Sequence, residues 1–217
     1  MATVEREARI DTTLAQKQPT LQVMLESVHD SQNLSTILRT CDAVGVLDLY
    51  YSSAQHQTLK IHKTITQGAH RWVRRNRVEE SQKRAFIQAK KAEGFQVVAT
   101  HLSAKSVGYR SLDYTKPTLF IVGNEKEGVS LELLEEATDV VVIPMQGMVQ
   151  SLNVSVATAL ILYEAQRQRQ EAQMYETPQL SQEAMMELKR VWIHRDSIAR
   201  KSKGKVALEF YENLLSF

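Results

Sequence analysis

The chain has 217 residues, 43% hydrophobic and 24% charged, which suits one substantial soluble core with at most a small appendage. No window approaches the ~18 apolar residues of a membrane span, the opening MATVEREARID has no apolar signal region, and the single cysteine, Cys41, excludes an internal disulfide, so a cytoplasmic protein without a membrane partner is expected. The net charge of +2 does not announce a nucleic-acid binder, but its cations are unevenly distributed.

In chain order, a weakly amphipathic helix is expected from Val4 to Gln16, ended by Gln18-Pro19. Leu21 to Val28 reads as a strand. A helix follows from Leu34 to Val44, with Asn33 as its N-cap and Gly45 past its end. Ile37, Leu38, Cys41 and Val44 form its apolar face, and Arg39 projects away from them. Cys41 reads there as a small core residue. Leu47 to Ser52 is a second strand, and His56 to Gln67 a loop with a short helix. His56 and His62 have no cysteine or acidic partner at ligand spacing, so no zinc site is expected.

His70, Arg71, Arg74, Arg75 and Arg77 crowd around Trp72, in a stretch expected to contain a strand through Trp72-Val73. Clustered cations with an interleaved aromatic suit a phosphate backbone and stacked bases; the competing reading is a solvated face. Glu79 to Glu93 is a helix, and Phe95 to His101 and Thr118 to Val122 are strands. The loop GNEKEGVS then has the glycine spacing of a phosphate-binding loop, but Val129 stands where a lysine must reach the phosphates, which removes the nucleotide-hydrolase reading. A short helix from Leu131 to Ala137 leads to a strand of β-branched residues, Val140 to Ile143, which Pro144 stops. A long polar loop ends at Asn153, the expected N-cap of a helix reaching Met174. After Thr177-Pro178 come one or two helices carrying Lys189, Arg190, Arg195, Arg200, Lys201, Lys203 and Lys205, with Trp192 and His194 among them. Strands alternating with helices predict an α/β fold with a mostly parallel sheet and ligand-binding loops at the strands' carboxyl ends.

Three segments resemble a known family. PTLQVMLESVHDSQNLSTILRTCDAVGV is similar to the first motif of the TrmH (SpoU) family of SPOUT RNA methyltransferases, whose hallmark is an asparagine and an arginine six residues apart, matched by Asn33 and Arg39. Cys41 stands where that pattern usually has alanine. GNEKEGVS resembles the second motif, with Glu125 in its acidic position, and IPMQGMVQSLNVSVATALILYEAQRQR the third. The resemblance spans roughly residues 6 to 174. It implies helices on both faces of the sheet, a deep trefoil knot in the carboxyl-terminal part, and a homodimer with its active site at the subunit interface. The expected organisation is a helical extension over 1–20, a methyltransferase domain over 21–175, and a basic, helical, RNA-binding extension over 176–217.

The reaction implied is methyl transfer from S-adenosylmethionine to a ribose 2′-hydroxyl, with no metal. The resemblance assigns catalysis to Arg39, Asn33, Glu125, Ser151 and Asn153, and cofactor binding to Thr100, Leu102, Gly123, Ile143, Met145, Ser151 and Leu152. Arg71, Arg74, Arg75, Arg195, Arg200 and Lys201 are the candidate RNA contacts. The family account has Arg39 taking the hydroxyl's proton. A guanidinium, however, stays protonated far above neutral pH and is naturally a phosphate clamp or a stabiliser of developing alkoxide charge, so its role stays open at this stage. The substrate implied is the tRNA D-loop guanosine, conventionally nucleotide 18. The alternatives are a sibling enzyme acting on another tRNA or rRNA site, and a non-catalytic RNA-binding protein on the same scaffold.

Overall fold

The structure is a computed structural model that describes residues 3–53, 60–124 and 126–201, without the side chains of residues 53, 200 and 201. Among the described residues, seven strands form one sheet: β1 (Leu21–Glu26), β2 (Asp48–Ser53), β3 (Arg74–Glu79), β4 (Gln96–Thr100), β5 (Val107–Gly108), β6 (Thr118–Val122) and β7 (Asp139–Val142). Their order is β3-β2-β1-β6-β4-β7-β5, and every pairing is parallel. The helices are α1 (Val4–Ala15), α2 (Ser31–Ala43), the single turn α3 (Lys63–Thr66), α4 (Lys83–Ala92), α5 (Leu131–Glu136), α6 (Val154–Glu171) and α7 (Gln182–Lys201).

Every residue of the two central strands, β1 and β6, is buried, as parallel strands covered on both faces must be. Successive side chains enter opposite layers. Val23, Leu25, Phe120 and Val122 join Leu34, Ile37 and Leu38 of α2 and Ile161, Leu162 and Ala165 of α6. Met24, Leu119 and Ile121 join Ile87 of α4 and Leu133 of α5. The helices therefore lie on both faces, as expected. Cys41 is fully buried in the first layer, and burial pushes its thiol up to about 12.

Local chemistry corrects several boundaries. Helix α2 starts three residues earlier than expected, because Asp30 is the N-cap and accepts from the Gln32 N–H at 2.7 Å. Asn33 is thus inside the first turn rather than at the cap. Trp72 and Val73 are not in a strand: residues 69–71 make a 3-10 turn and β3 begins at Arg74. The two-residue edge strand β5 has too little sequence to show a period, and no reading of pattern found it.

The terminal helices come together. Ile10 and Leu14 of α1 pack with Leu47 and Trp192, the latter on α7. The Trp72 and Trp192 rings lie 5.1 Å apart, with the Arg6 guanidinium over Trp72. Asp196 of α7 accepts from Arg6 at 3.0 Å and from Arg71 at 3.5 Å. Helices α1 and α7, from the two expected extensions, thus share one small core with Leu47 and Trp72. No helix among the described residues is long and apolar enough to cross a membrane.

Candidate active site

The strand order makes β6, β4 and β7 neighbours, so the loops at their carboxyl ends gather at one place. These are the loops after Thr100, Val122 and Val142, the three expected to hold the cofactor. Gly123 opens the middle one. A Cβ there would sit 2.0 Å from the Gly128 carbonyl carbon and 2.2 Å from the Val129 nitrogen, so only glycine allows this backbone approach. Gly128 has a φ of +71°, and the Asn124 side-chain oxygen accepts from the N–H groups of Lys126 and Glu127 at 2.8 and 2.7 Å. The loop's shape is therefore set by backbone and amide contacts around the acidic position. Glu125 itself lies outside the described residues.

Around this turn, Thr100 donates to the Ile121 carbonyl at 3.4 Å, and Ile143 packs against the core. Leu102 is exposed, Met145 and Leu152 are half-buried, and Ser151 is exposed. The segment 146–151 presents its residues to solvent, Met148 completely. The three loops thus meet at the carboxyl end of the sheet with most of their side chains exposed or half-buried.

Two helices bring the first and third motifs together. Asn153 caps α6, its side-chain oxygen accepting from the Ser155 N–H at 2.8 Å and the Ser155 hydroxyl at 2.6 Å. Its amide nitrogen donates to the Asn33 side-chain oxygen at 3.1 Å. One residue therefore serves both as the expected cap and as the tie between segments 120 residues apart. Arg39 lies two turns along α2 from Asn33. It is exposed, and its Nη1 donates to the Ile65 carbonyl at 3.3 Å. A cavity of about 130 Å³ lined by Thr13, Gln16, Asp42, Gly45, Gln170 and Tyr175 lies at the other ends of α2 and α6, away from these residues.

Sequence reasoning missed Glu26, which ends β1 almost fully buried. It accepts from Lys83 at 2.7 Å, from the Ser130 N–H at 2.8 Å and from the Ser130 hydroxyl at 2.6 Å. Hydrogen bonds to Glu26 and Glu80 outweigh desolvation and push the Lys83 ammonium up. Ser130, which a phosphate-loop reading would give to a metal ion, instead caps α5 and fixes the Gly123 loop to β1. A carboxylate at the end of a mostly apolar strand was the one signal in the sequence. Among the described residues, no group of three or more His, Cys, Asp or Glu could hold a metal ion.

The candidate RNA contacts separate into two kinds. Arg74 makes a two-point ion pair with the buried Asp48, at 2.7 and 2.6 Å. Arg195 is buried and donates to the Arg71 carbonyl at 3.1 Å, holding α7 to the 3-10 turn. Both serve the fold in this arrangement. Arg71, which also pairs with Asp196, and Arg75 are half-buried beside His70. Burial, then the charges of Arg75, Arg71 and Lys63, lower His70 to about 4. Lys63 thereby joins the basic patch, a member that sequence spacing did not reveal. The side chains of Arg200 and Lys201 lie outside the described residues.

Known proteins share this arrangement. The model of the SpoU rRNA Methylase family matches residues 20–163. A tRNA (guanosine(18)-2'-O)-methyltransferase of Aquifex aeolicus (strain VF5) is 48% identical over 199 residues, 92% of this chain and 93% of that protein. The Escherichia coli (strain K12) enzyme of the same name is 46% identical over 173 residues, 78% of this chain and 73% of that one. The crystal structure of the A. aeolicus TrmH/SpoU tRNA modifying enzyme is similar with a TM-score of 0.84 at 49% identity, over 88% of this chain and 96% of that one. An AdoMet-bound rRNA methyltransferase from Sinorhizobium meliloti is similar with a TM-score of 0.62 at 36% identity, over 73% of this chain and 59% of that one. With its motifs joined in space and most of its length matched, the chain belongs to the SpoU methylase family and is a methyltransferase.

Proposed function

We propose that the chain transfers a methyl group from S-adenosylmethionine to the ribose 2′-hydroxyl of guanosine 18 in the D-loop of tRNA. The observation that carries this reading is the Asn153–Asn33 hydrogen bond, which draws the arginine-bearing helix onto the loop that would hold the cofactor. The names of the Aquifex and E. coli relatives supply the substrate. The Aquifex structure is similar over 88% of this chain, against 73% for the S. meliloti rRNA methyltransferase, which favours tRNA over rRNA.

The residues present fit the cofactor. The Gly128 and Val129 backbone fills the place a Gly123 side chain would take, so the turn is fixed and would offer the cofactor main-chain groups rather than side chains. Thr100, Leu102, Gly123, Ile143, Met145, Ser151 and Leu152 would hold it through main-chain groups and short side chains. The cofactor supplies a methyl group on an already electrophilic sulfonium, leaving the protein to position and polarise the hydroxyl. Asn33 and Asn153 fix α2 against the third-motif loop. The Arg39 guanidinium stabilises negative charge developing on the ribose oxygen and clamps an adjacent phosphate. Glu125 and Ser151 belong to the same proposed site. Arg71 and Arg75, with Lys63, form the proposed phosphate-facing patch.

A homodimer and a trefoil crossing are part of this reading. Val156, Leu160 and Tyr163 are exposed to 47%, 40% and 51% and fall on one stripe of α6, which supports a second copy there. The cytoplasm, where tRNA is processed, is the proposed compartment. The deciding experiment is transfer of a labelled methyl group to an unmodified tRNA transcript, with the modified nucleotide mapped. Methylation at guanosine 18 is expected; methylation elsewhere would move the chain to a sibling activity, and cofactor binding without transfer to any RNA would sink the enzymatic reading.

A further inference from the structure

Helix α2 carries Ser31, Ser35 and Arg39 at four-residue steps, which places them in one stripe along its surface. The segment from His62 to Thr66 lies along that stripe and meets each of the three. The His62 Nε2 is 2.8 Å from the Ser31 hydroxyl. The His62 backbone N–H donates to the Ser35 hydroxyl at 2.9 Å. The Ile65 carbonyl accepts from Arg39 at 3.3 Å. Ser35 is fully buried, and its hydroxyl also donates to the Ser31 carbonyl at 2.7 Å, so it is engaged as donor and acceptor together.

The far end of the segment is equally constrained. Gln67 and Gly68 have φ of +49° and +95°, and a Cβ on Gly68 would come within 2.6 Å of the Arg71 guanidinium. A helix as short as α3 leaves its late carbonyls without an intrahelical donor, so the Ile65 carbonyl can receive the arginine. At the near end His62 bonds both serines, Ser35 through its backbone and Ser31 through its ring, and the ring bond is the one that the side chain adds.

We propose that His62 is a positioning residue for Arg39: it fastens the 62–66 segment to α2 so that the Ile65 carbonyl holds the guanidinium in the orientation that methyl transfer requires. This rests on reading Arg39 as the group that acts on the ribose hydroxyl. An exposed arginine otherwise samples many rotamers, and misplacement of a reacting group is costly in rate. The imidazole is outside the chemistry itself; its effect passes through the peptide it anchors.

The test uses the full chain with His62→Ala and His62→Gln, glutamine carrying an amide nitrogen to roughly the place of the imidazole Nε2. Three quantities are read: the single-turnover rate with saturating cofactor and tRNA, the affinity for each, and the mobility of the Arg39 Nε–H by nitrogen-15 relaxation, its resonance assigned by its loss in Arg39→Lys. The expected result for His62→Ala is a rate about 10- to 100-fold lower, unchanged affinities and a mobile Arg39, with most of the rate and order restored by His62→Gln. An Arg39 as ordered as in the parent chain would overturn the proposal. So would a rate loss matched by lost tRNA affinity, which would make His62 an RNA contact, or a failure of glutamine to restore order. Should the parent chain transfer no methyl group to tRNA, the functional reading falls, while Arg39 mobility still judges whether His62 holds it.

Discussion

The two ends of helix α6 are secured in contrasting ways. At its start, Asn153 caps the helix and reaches Asn33 through one 3.1 Å bond, beneath a loop whose residues 146–151 are exposed. At its end, Arg169 is fully buried and donates to five acceptors: the Tyr114, Thr20 and Lys116 carbonyls, the Gln18 side-chain oxygen and the Thr20 hydroxyl, all between 2.9 and 3.1 Å. Gln168 adds bonds to the Leu112 carbonyl and the Tyr114 N–H. The contrast places the denser bonding away from the proposed site and the exposed loop beside it, the distribution that binding loops need.

The largest effect should come from breaking the rigid end. Arg169→Met removes every donor from five inward-facing acceptors, so a loss of about 3–5 kcal/mol is expected, read by denaturant unfolding. A loss under about 1 kcal/mol would mean that this end relaxes easily and that the contrast is overstated.

Arg39→Ala should do the reverse. Methyl transfer should fall about 10²- to 10³-fold, the range for removing one preorganised charge stabiliser. Stability should move by less than about 0.5 kcal/mol, because the side chain is exposed. Near-normal turnover would take Arg39 out of the chemistry.

Asn153 sharpens the comparison by separating its two roles. Asn153→Ala loses both the cap and the tie, for about 1–2 kcal/mol of stability. Asn153→Asp keeps an oxygen for Ser155 but removes the donor to Asn33, so stability should stay close to the parent while transfer slows. Equal behaviour of the two variants in both assays would show that the tie has no part in function.

The smallest effect concerns pH. His70 is lowered to about 4 by burial and by the charges of Arg75, Arg71 and Lys63. The unfolded chain therefore binds a proton that the folded chain refuses, and stability is lost as pH falls from about 6.5 toward 4. Solvent screens this partly exposed ring, so the loss should be on the order of 1 kcal/mol. His70→Gln should flatten that slope in unfolding curves at pH 7 and pH 5, and an unchanged slope would assign it to other groups.

What the sequence made legible was local. The βα alternation, the Asn33–Arg39 spacing and the Asn153 cap each arise within a few residues; the structure shows the alternation and the Asn153 cap as expected, and places Asn33 inside α2 rather than at its cap. Asp30 displaced Asn33 as a cap because two acceptable residues lay three positions apart and only backbone geometry chooses between them. Partners far along the chain were invisible: Arg74 meets Asp48 across β2 and β3, and Arg195 of α7 meets the carbonyl of Arg71. Both arginines looked like surface charge because composition cannot say which cations have buried partners. Glu26 was hidden for the same reason, since its roles depend on Lys83 and Ser130, 57 and 104 residues away.

The Arg169 guanidinium has a consequence for the order in which the chain assembles. Its acceptors at Gln18 and Thr20 are 151 and 149 residues away in sequence, and those at Tyr114 and Lys116 are 55 and 53. It can satisfy all of them only after the entry to β1, the entry to β6 and the last turn of α6 have converged. Closure at such separations is slow, because the entropy of bringing distant segments together precedes any reward. Arg169 should therefore lock late, and substitutions there should speed unfolding far more than they slow folding. The residue that keeps the far end rigid would then also set how long a finished molecule lasts.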